Sequence, residues 1–176
     1  MKLGVICDGI SRDLGHALRV MDEFGLDYAE LQFVWDKEVG DHDASEIAQI
    51  KELLDKHNKP VSCLSRHIFA GLTTASKAGD KDHSRHMDYL KCVIEMAHQL
   101  NCPLVRIMTS KKEQILWGTN GAEHWNVAKG AWDTLPPLIA PAVDLARTEG
   151  VTLVVETGNG TTVSYTHLTL PTNLSV

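Results

Sequence analysis

The stretch GVTLVVE, residues 150–156, sets a glycine before five apolar or β-branched residues and ends on a carboxylate. A run of that length, bounded on its far side by Thr157-Gly158-Asn159-Gly160, reads as a buried strand rather than a helix. Four similar runs precede it: Leu3 to Cys7 (LGVIC), Tyr28 to Phe33 (YAELQF), Val61 to Ser65 (VSCLS) and Leu104 to Met108 (LVRIM). Each pair of successive runs is separated by enough chain for a crossover helix, so all five strands can be parallel. Strands alternating with helical patterns point to βαβ units and an α/β fold.

The segments between the runs carry helical spacing. Leu14, Leu18, Met21 and Phe24 mark a first helix over about Leu14 to Phe24, with Gly25 placed as a C-terminal cap. Asp43 and Glu46 are spaced as a capping box before Ile47, Ile50 and Leu54, which gives a second helix from Ala44 to His57. Met87, Leu90, Ile94 and Ala97 form the apolar stripe of a third, Ser84 to Leu100. Pro136, Pro137 and Pro141 are expected to break or kink the fourth, leaving Pro141 to Glu149 as its regular part before Gly150.

The chain has 176 residues, 43% of them hydrophobic and 23% charged, with a net charge of −6. That apolar share supports a packed core and excludes a disordered chain. An acidic pI of about 5.8 offers no electrostatic footprint for nucleic acid, so no nucleic-acid partner is expected. No apolar stretch approaches the roughly 20 residues of a membrane span, and the N-terminus lacks a signal-peptide pattern; a cytoplasmic location is the default expectation. Cys7, Cys63, Cys92 and Cys102 include no C-x-x-C pair and are read as small buried apolar groups in a reducing compartment. The twenty residues after Glu156 hold no charged side chain, and 163–176 (VSYTHLTLPTNLSV) lack any helical or strand period. This tail resembles a translated sequencing-adapter tail, so it is expected to be non-native and disordered, with residues 1–162 forming the folded part.

Chemistry in parallel α/β folds gathers at the carboxyl ends of strands, where the following loops converge. Those positions hold Asp8-Gly9, Glu30 and Gln32, Arg66-His67, Arg106, and Glu156. Side chains alternate along a strand, so Cys63, Ser65 and His67 share a face, as do Leu104, Arg106 and Met108, and Thr152, Val154 and Glu156. A carboxylate at position 156, capping an apolar strand, needs a cation or hydrogen bonds beside it. It reads either as a metal or catalytic group or as a glutamate bonded to loop amides. His67 reads as a metal or substrate ligand, or as an imidazole with its nitrogens satisfied within the fold. Glu30 suits either hydroxyl groups or an ion pair with Arg106, and Asp8-Gly9 reads as a turn. His83 and His86 have the i, i+3 spacing of a chelating pair, yet their charged surroundings predict solvated side chains. Lys111-Lys112 suit a phosphate or open surface, and Trp35, Trp117, Trp125 and Trp132 a sugar wall or the core. Gly158-x-Gly160 lacks the third glycine of a dinucleotide fingerprint.

The segments LGVICDGIS, DYAELQ, SRHIFAG, LVRI and GVTLVVETGNGT, in that order over residues 1–162, resemble the sugar phosphate isomerase/epimerase family of xylose-isomerase-like TIM barrels. The resemblance implies an α/β fold, an incomplete (β/α)8 TIM barrel of about five parallel strands with crossover helices. It implies a divalent metal (Mn, Mg, Co or Zn), expected only in the complete barrel, and proton abstraction next to a carbonyl through a metal-stabilised enediolate. Glu156 matches the family's first metal ligand and would also serve as an acid/base carboxylate. Glu30 and His67 match substrate-site positions, and Arg106 joins them as a substrate-binding candidate. The implied partner is a small sugar or polyol, and the two open sheet edges predict a homo-oligomer or aggregation. The same superfamily also holds inosose-type dehydratases and apurinic-endonuclease-like hydrolases, and a non-catalytic fragment is a further reading.

Overall fold

Five short β-rich runs do pair into one sheet. The computed structural model describes residues 1–73, 75–110 and 131–156, so that Lys111-Lys112, Trp117, Trp125, Gly158, Gly160 and the expected tail lie outside the described residues. The sheet strands are β1 (Gly4–Ile6), β2 (Tyr28–Leu31), β5 (Val61–Ser65), β6 (Leu104–Ile107) and β7 (Thr152–Val155). They pair in the order β1-β2-β5-β6-β7, every pair parallel. Helices α1 (Leu14–Glu23), α2 (Ala44–Lys56), α3 (Lys81–Gln99) and α4 (Ala131–Glu149) form the crossovers. This is an α/β, incomplete barrel arrangement, matching the sequence expectation.

The helix boundaries follow from local chemistry. Asp13 caps α1 by accepting from the His16 amide at 3.2 Å. Asp43 and Glu46 close the expected capping box on α2. Gly25 and Gly150 follow α1 and α4 at positive φ, where a glycine carries no Cβ penalty. The prolines of α4 are a correction: the helix runs unbroken from Ala131 to Glu149 with all three inside. Pro136, Pro137 and Pro141 each lack an amide hydrogen, so the helix continues with three ladder bonds fewer.

One face of the sheet packs on the helices. Ala29, Leu31, Leu64, Val105 and Ile107 are fully buried there against Leu18 and Met21 of α1, Ile50 of α2, and Leu90, Ile94 and Ala97 of α3. Pairing places Ile6 beside Glu30, Glu30 beside Cys63, Ser65 beside Arg106 and Arg106 beside Val154, so these side chains share the opposite face. A register shift at Ala29/Glu30 sets Cys63 opposite Glu30 and brings Ser65 within its reach.

A two-stranded hairpin follows β2; the sequence reading takes only its first residue, Phe33, into the second strand and assigns the rest to no element. Its strands, β3 (Phe33–Val34) and β4 (Lys37–Glu38), are antiparallel. Trp35 and Asp36 turn the chain at φ of 50° and 64°, the conformation of a type I′ turn without its usual Asn-Gly pair.

Candidate active site at the carboxyl end of the sheet

The strand ends bring Glu30, Ser65, Arg66, His67, Arg106 and Glu156 to one edge of the sheet, joined there by Gln32 and by Glu38 from the hairpin. Three polar groupings result. In the first, the Ser65 hydroxyl donates to Glu30 Oε1 at 2.5 Å, with Ser65 fully buried. In the second, the Arg106 guanidinium pairs with the Glu156 carboxylate; the Arg106 side chain is 12% exposed and that of Glu156 37%. The Glu156 backbone continues the ladder, donating to the Ile107 carbonyl at 3.1 Å. In the third, Glu38 Oε1 accepts from the His67 amide at 2.9 Å and lies 2.7 Å from His67 Nδ1. Gln32 Nε2 stands 3.1 Å from His67 Nε2.

Buried Arg66 locks the hairpin over the sheet. Its Nη1 donates to the Val39 carbonyl at 2.5 Å, its Nη2 meets Asp41 at 2.8 Å, and its Nε lies 3.5 Å from Glu38 Oε2. The guanidinium also rests 4.4 Å from the centroid of the Tyr89 ring on α3.

Several sequence expectations change here. Glu30 and Arg106 do not pair, because β5 lies between their strands; Glu30 takes Ser65, and Arg106 takes Glu156. The cation that the carboxylate at the end of β7 required is therefore an arginine. His83 and His86 are buried, not solvated. His83 accepts from the Gly79 amide at Nδ1 (3.2 Å), places Nε2 2.8 Å from the Leu138 carbonyl, and stacks on Phe69 with ring centroids 5.5 Å apart. His86 Nδ1 accepts from the Phe69 amide at 3.1 Å, and burial holds its pKa below the usual imidazole value. His83 with both ring nitrogens and His86 with Nδ1 hold the chain that enters α3. Asp8 forms part of a 3-10 turn, Cys7–Gly9, as expected of a turn former. Trp35 packs against the core beside His42, which suits the ordinary role of a large aromatic.

Sequence reasoning missed Glu38 altogether. The signal was weak: a lone charged pair, Lys37-Glu38, which only the hairpin carries to His67. A cavity of about 370 Å³ lies instead at the amino ends of the strands, lined by residues including Lys2, Asp27, Tyr28, His57 and Lys59. Its basic groups are already engaged, since Asp22 takes His57 at 2.6 Å and Lys59 at 2.8 Å. These partners hold the Asp22 carboxyl below its ordinary pKa, Lys59 foremost.

The sequence model of the xylose isomerase-like TIM barrel matches residues 18–171. The chain belongs to that family. Among curated proteins, none matches the sequence. Solved barrels of similar fold include the IOLI protein with a bound zinc atom, 20% identical over 93% of this chain and 54% of the other, with a TM-score of 0.59. A xylose isomerase-like TIM barrel protein from Mycobacterium smegmatis in complex with magnesium is 17% identical over 85% and 48%, TM-score 0.53. D-allulose 3-epimerase from Methylomonas sp. in complex with D-allulose is 15% identical over 99% and 58%, TM-score 0.57. This xylose isomerase-like chain therefore spans about half the length of the barrels it matches.

The family implies a divalent metal, and the described residues do not make up its site. Among them no group of three His, Cys, Asp or Glu side chains is placed to hold a cation. Glu156 offers one carboxylate, where a structural or catalytic zinc takes three or four protein ligands, and Arg106 already occupies it. No helix among the described residues is long and apolar enough to cross a membrane.

Proposed function

We propose that this xylose isomerase-like chain is the strand-one-to-five portion of an isomerase or epimerase of a small sugar or sugar phosphate, which moves a proton on the carbon next to a carbonyl. The observation that carries the reading is the pairing of Glu156 with Arg106 at the carboxyl end of β7, beside the Glu30–Ser65 pair on the same sheet face. Removing a proton next to a carbonyl needs a base within hydrogen-bond reach and positive charge where the oxygen becomes an enediolate anion. In this reading Glu156 is the acid/base carboxylate and Arg106 supplies the adjacent positive charge. Glu30, held by Ser65, accepts from substrate hydroxyls, and His67 lies with it among the substrate-binding residues.

Relatives crystallised with zinc or magnesium make a divalent cation (Mn, Mg, Co or Zn) part of the proposal for the complete barrel, with Glu156 as its first ligand and the others outside the described residues. The net charge of −6 favours this reading over a nucleic-acid hydrolase of the same barrel class. Such an enzyme would work in the cytoplasm.

The test uses the barrel extended to the length of its relatives. Glu156→Gln is expected to lower turnover of small ketoses by at least about a hundredfold and to reduce bound divalent metal measured by elemental mass spectrometry. Turnover and metal content equal to those of the parent would remove Glu156 from the site.

A further inference from the structure

We propose that Glu38 is a positioning residue which fixes the His67 imidazole with its proton on Nδ1, so that Nε2 serves as a hydrogen-bond acceptor for a polyol hydroxyl at the sheet end. The hydroxyl part of this inference rests on the reading of the site as a sugar site; the positioning part does not. Glu38 belongs to the hairpin, not to any strand of the sheet, and its carboxylate reaches His67 twice.

The argument starts from what each atom is able to do. A carboxylate only accepts, so the Nδ1 that lies 2.7 Å from Glu38 Oε1 carries the proton. A neutral imidazole then has its lone pair on Nε2. The Gln32 amide nitrogen lies 3.1 Å from Nε2 and 3.4 Å from Nδ1, over the ring and not along the in-plane lone pair of Nε2. The same Glu38 oxygen accepts from the His67 backbone amide at 2.9 Å, which fixes the carboxylate relative to the ring it orients.

Burial explains why the carboxylate stays in place. Glu38 is 18% exposed at its side chain and has Arg66, 4% exposed, beside its second oxygen. Arg66 is itself anchored to Val39, Asp41 and the Tyr89 ring. His67, by contrast, is 45% exposed at its side chain, so a ligand has access to it. With Gln32 over the ring, a sugar hydroxyl would donate to Nε2 in the ring plane. The chemistry selects neutral donors of the O–H type.

The experiment is long-range ¹H–¹⁵N NMR of the His67 ring in the 176-residue chain, which separates the two tautomers and the imidazolium. In its neutral form the wild-type ring is expected to carry its proton on Nδ1. Glu38→Gln is expected to shift the ring toward the Nε2-protonated form while the amide resonances of β2, β5 and β6 stay in place. Gln32→Leu, which leaves the carboxylate, is expected to keep the Nδ1 proton and guards against a Glu38 variant that fails to fold. A neutral wild-type ring protonated on Nε2, or a switch of tautomer in Gln32→Leu, overturns the positioning role. Titration with D-fructose as a polyol probe is expected to move the Nε2 resonance in the wild type. A resonance unmoved at molar D-fructose overturns the hydroxyl-acceptor role and leaves the proton-transfer reading of Glu156 to its own test.

Discussion

Cys7, Cys63 and Cys102 are buried, and burial pushes the Cys7 thiol up to about 12 and Cys63 to about 11, with Cys102 also raised. A raised folded-state value favours the protonated thiol in the native protein. The stability this supplies is intact below pH 9, the ordinary value, and is lost as pH climbs from there through about 11 and 12. Urea unfolding at a series of pH values should therefore show a falling midpoint above pH 9. Cys92 is the exception to the sequence expectation of four buried thiols, because its position on α3 faces solvent. A thiol-labelling reagent should modify Cys92 alone in the native chain, and rapid labelling of a second cysteine would contradict the burial. At this scale the strand-end residues Glu30, His67, Arg106 and Glu156 were legible as chemistry-bearing positions, since alternation along a strand fixes which face each takes. Their partners were not legible. Choosing Ser65 for Glu30 depends on a register shift, and choosing Glu156 for Arg106 depends on strand order, neither of which a linear pattern encodes.

Among the elements, the hairpin β3–β4 is where sequence reading fell furthest short and where the site acquires Glu38. Its turn uses Trp35 and Asp36 at positive φ, so the usual Asn-Gly signal is missing. Three helices, the Pro141–Glu149 half of α4 and the five sheet strands, in contrast, were set by period, caps and glycine stops that act locally. Just beyond the hairpin, Gly40 shows how tightly the strap is seated. It takes a φ of 91°, and a Cβ there would lie 2.9 Å from Val93 Cγ2 and 3.1 Å from Arg66 Nη1. Gly40→Ala meets both a backbone penalty and a clash with a buried guanidinium. It should lower unfolding free energy by about 2–4 kcal/mol, read from urea denaturation. A change below about 0.5 kcal/mol, the scale of an ordinary surface substitution, would show that the strap is not held against α3 and β5 as described.

For the whole molecule, the helix-facing side of the sheet is closed while its edge strands β1 and β7 are each paired on one side only among the described residues. Leu3 and Val155, flanking or ending those strands, are 48% and 44% exposed. Unpaired parallel edges with apolar side chains template further pairing, so the chain should self-associate as its concentration rises. Sedimentation velocity should show mass above the monomer at tens of micromolar, and a concentration-independent monomer that unfolds cooperatively would contradict this. The barrel class was legible from the order of five strand motifs, whereas the proposed reaction depends on side-chain pairings that no linear pattern encodes.

That reaction is tested most directly by isotope exchange. In the barrel extended to the length of its relatives, incubation of small ketoses in D₂O should place deuterium on the carbon next to the carbonyl in the product, because a proton passed to Glu156 as proposed would exchange with solvent. Product formed without deuterium at that carbon would contradict a proton-transfer mechanism.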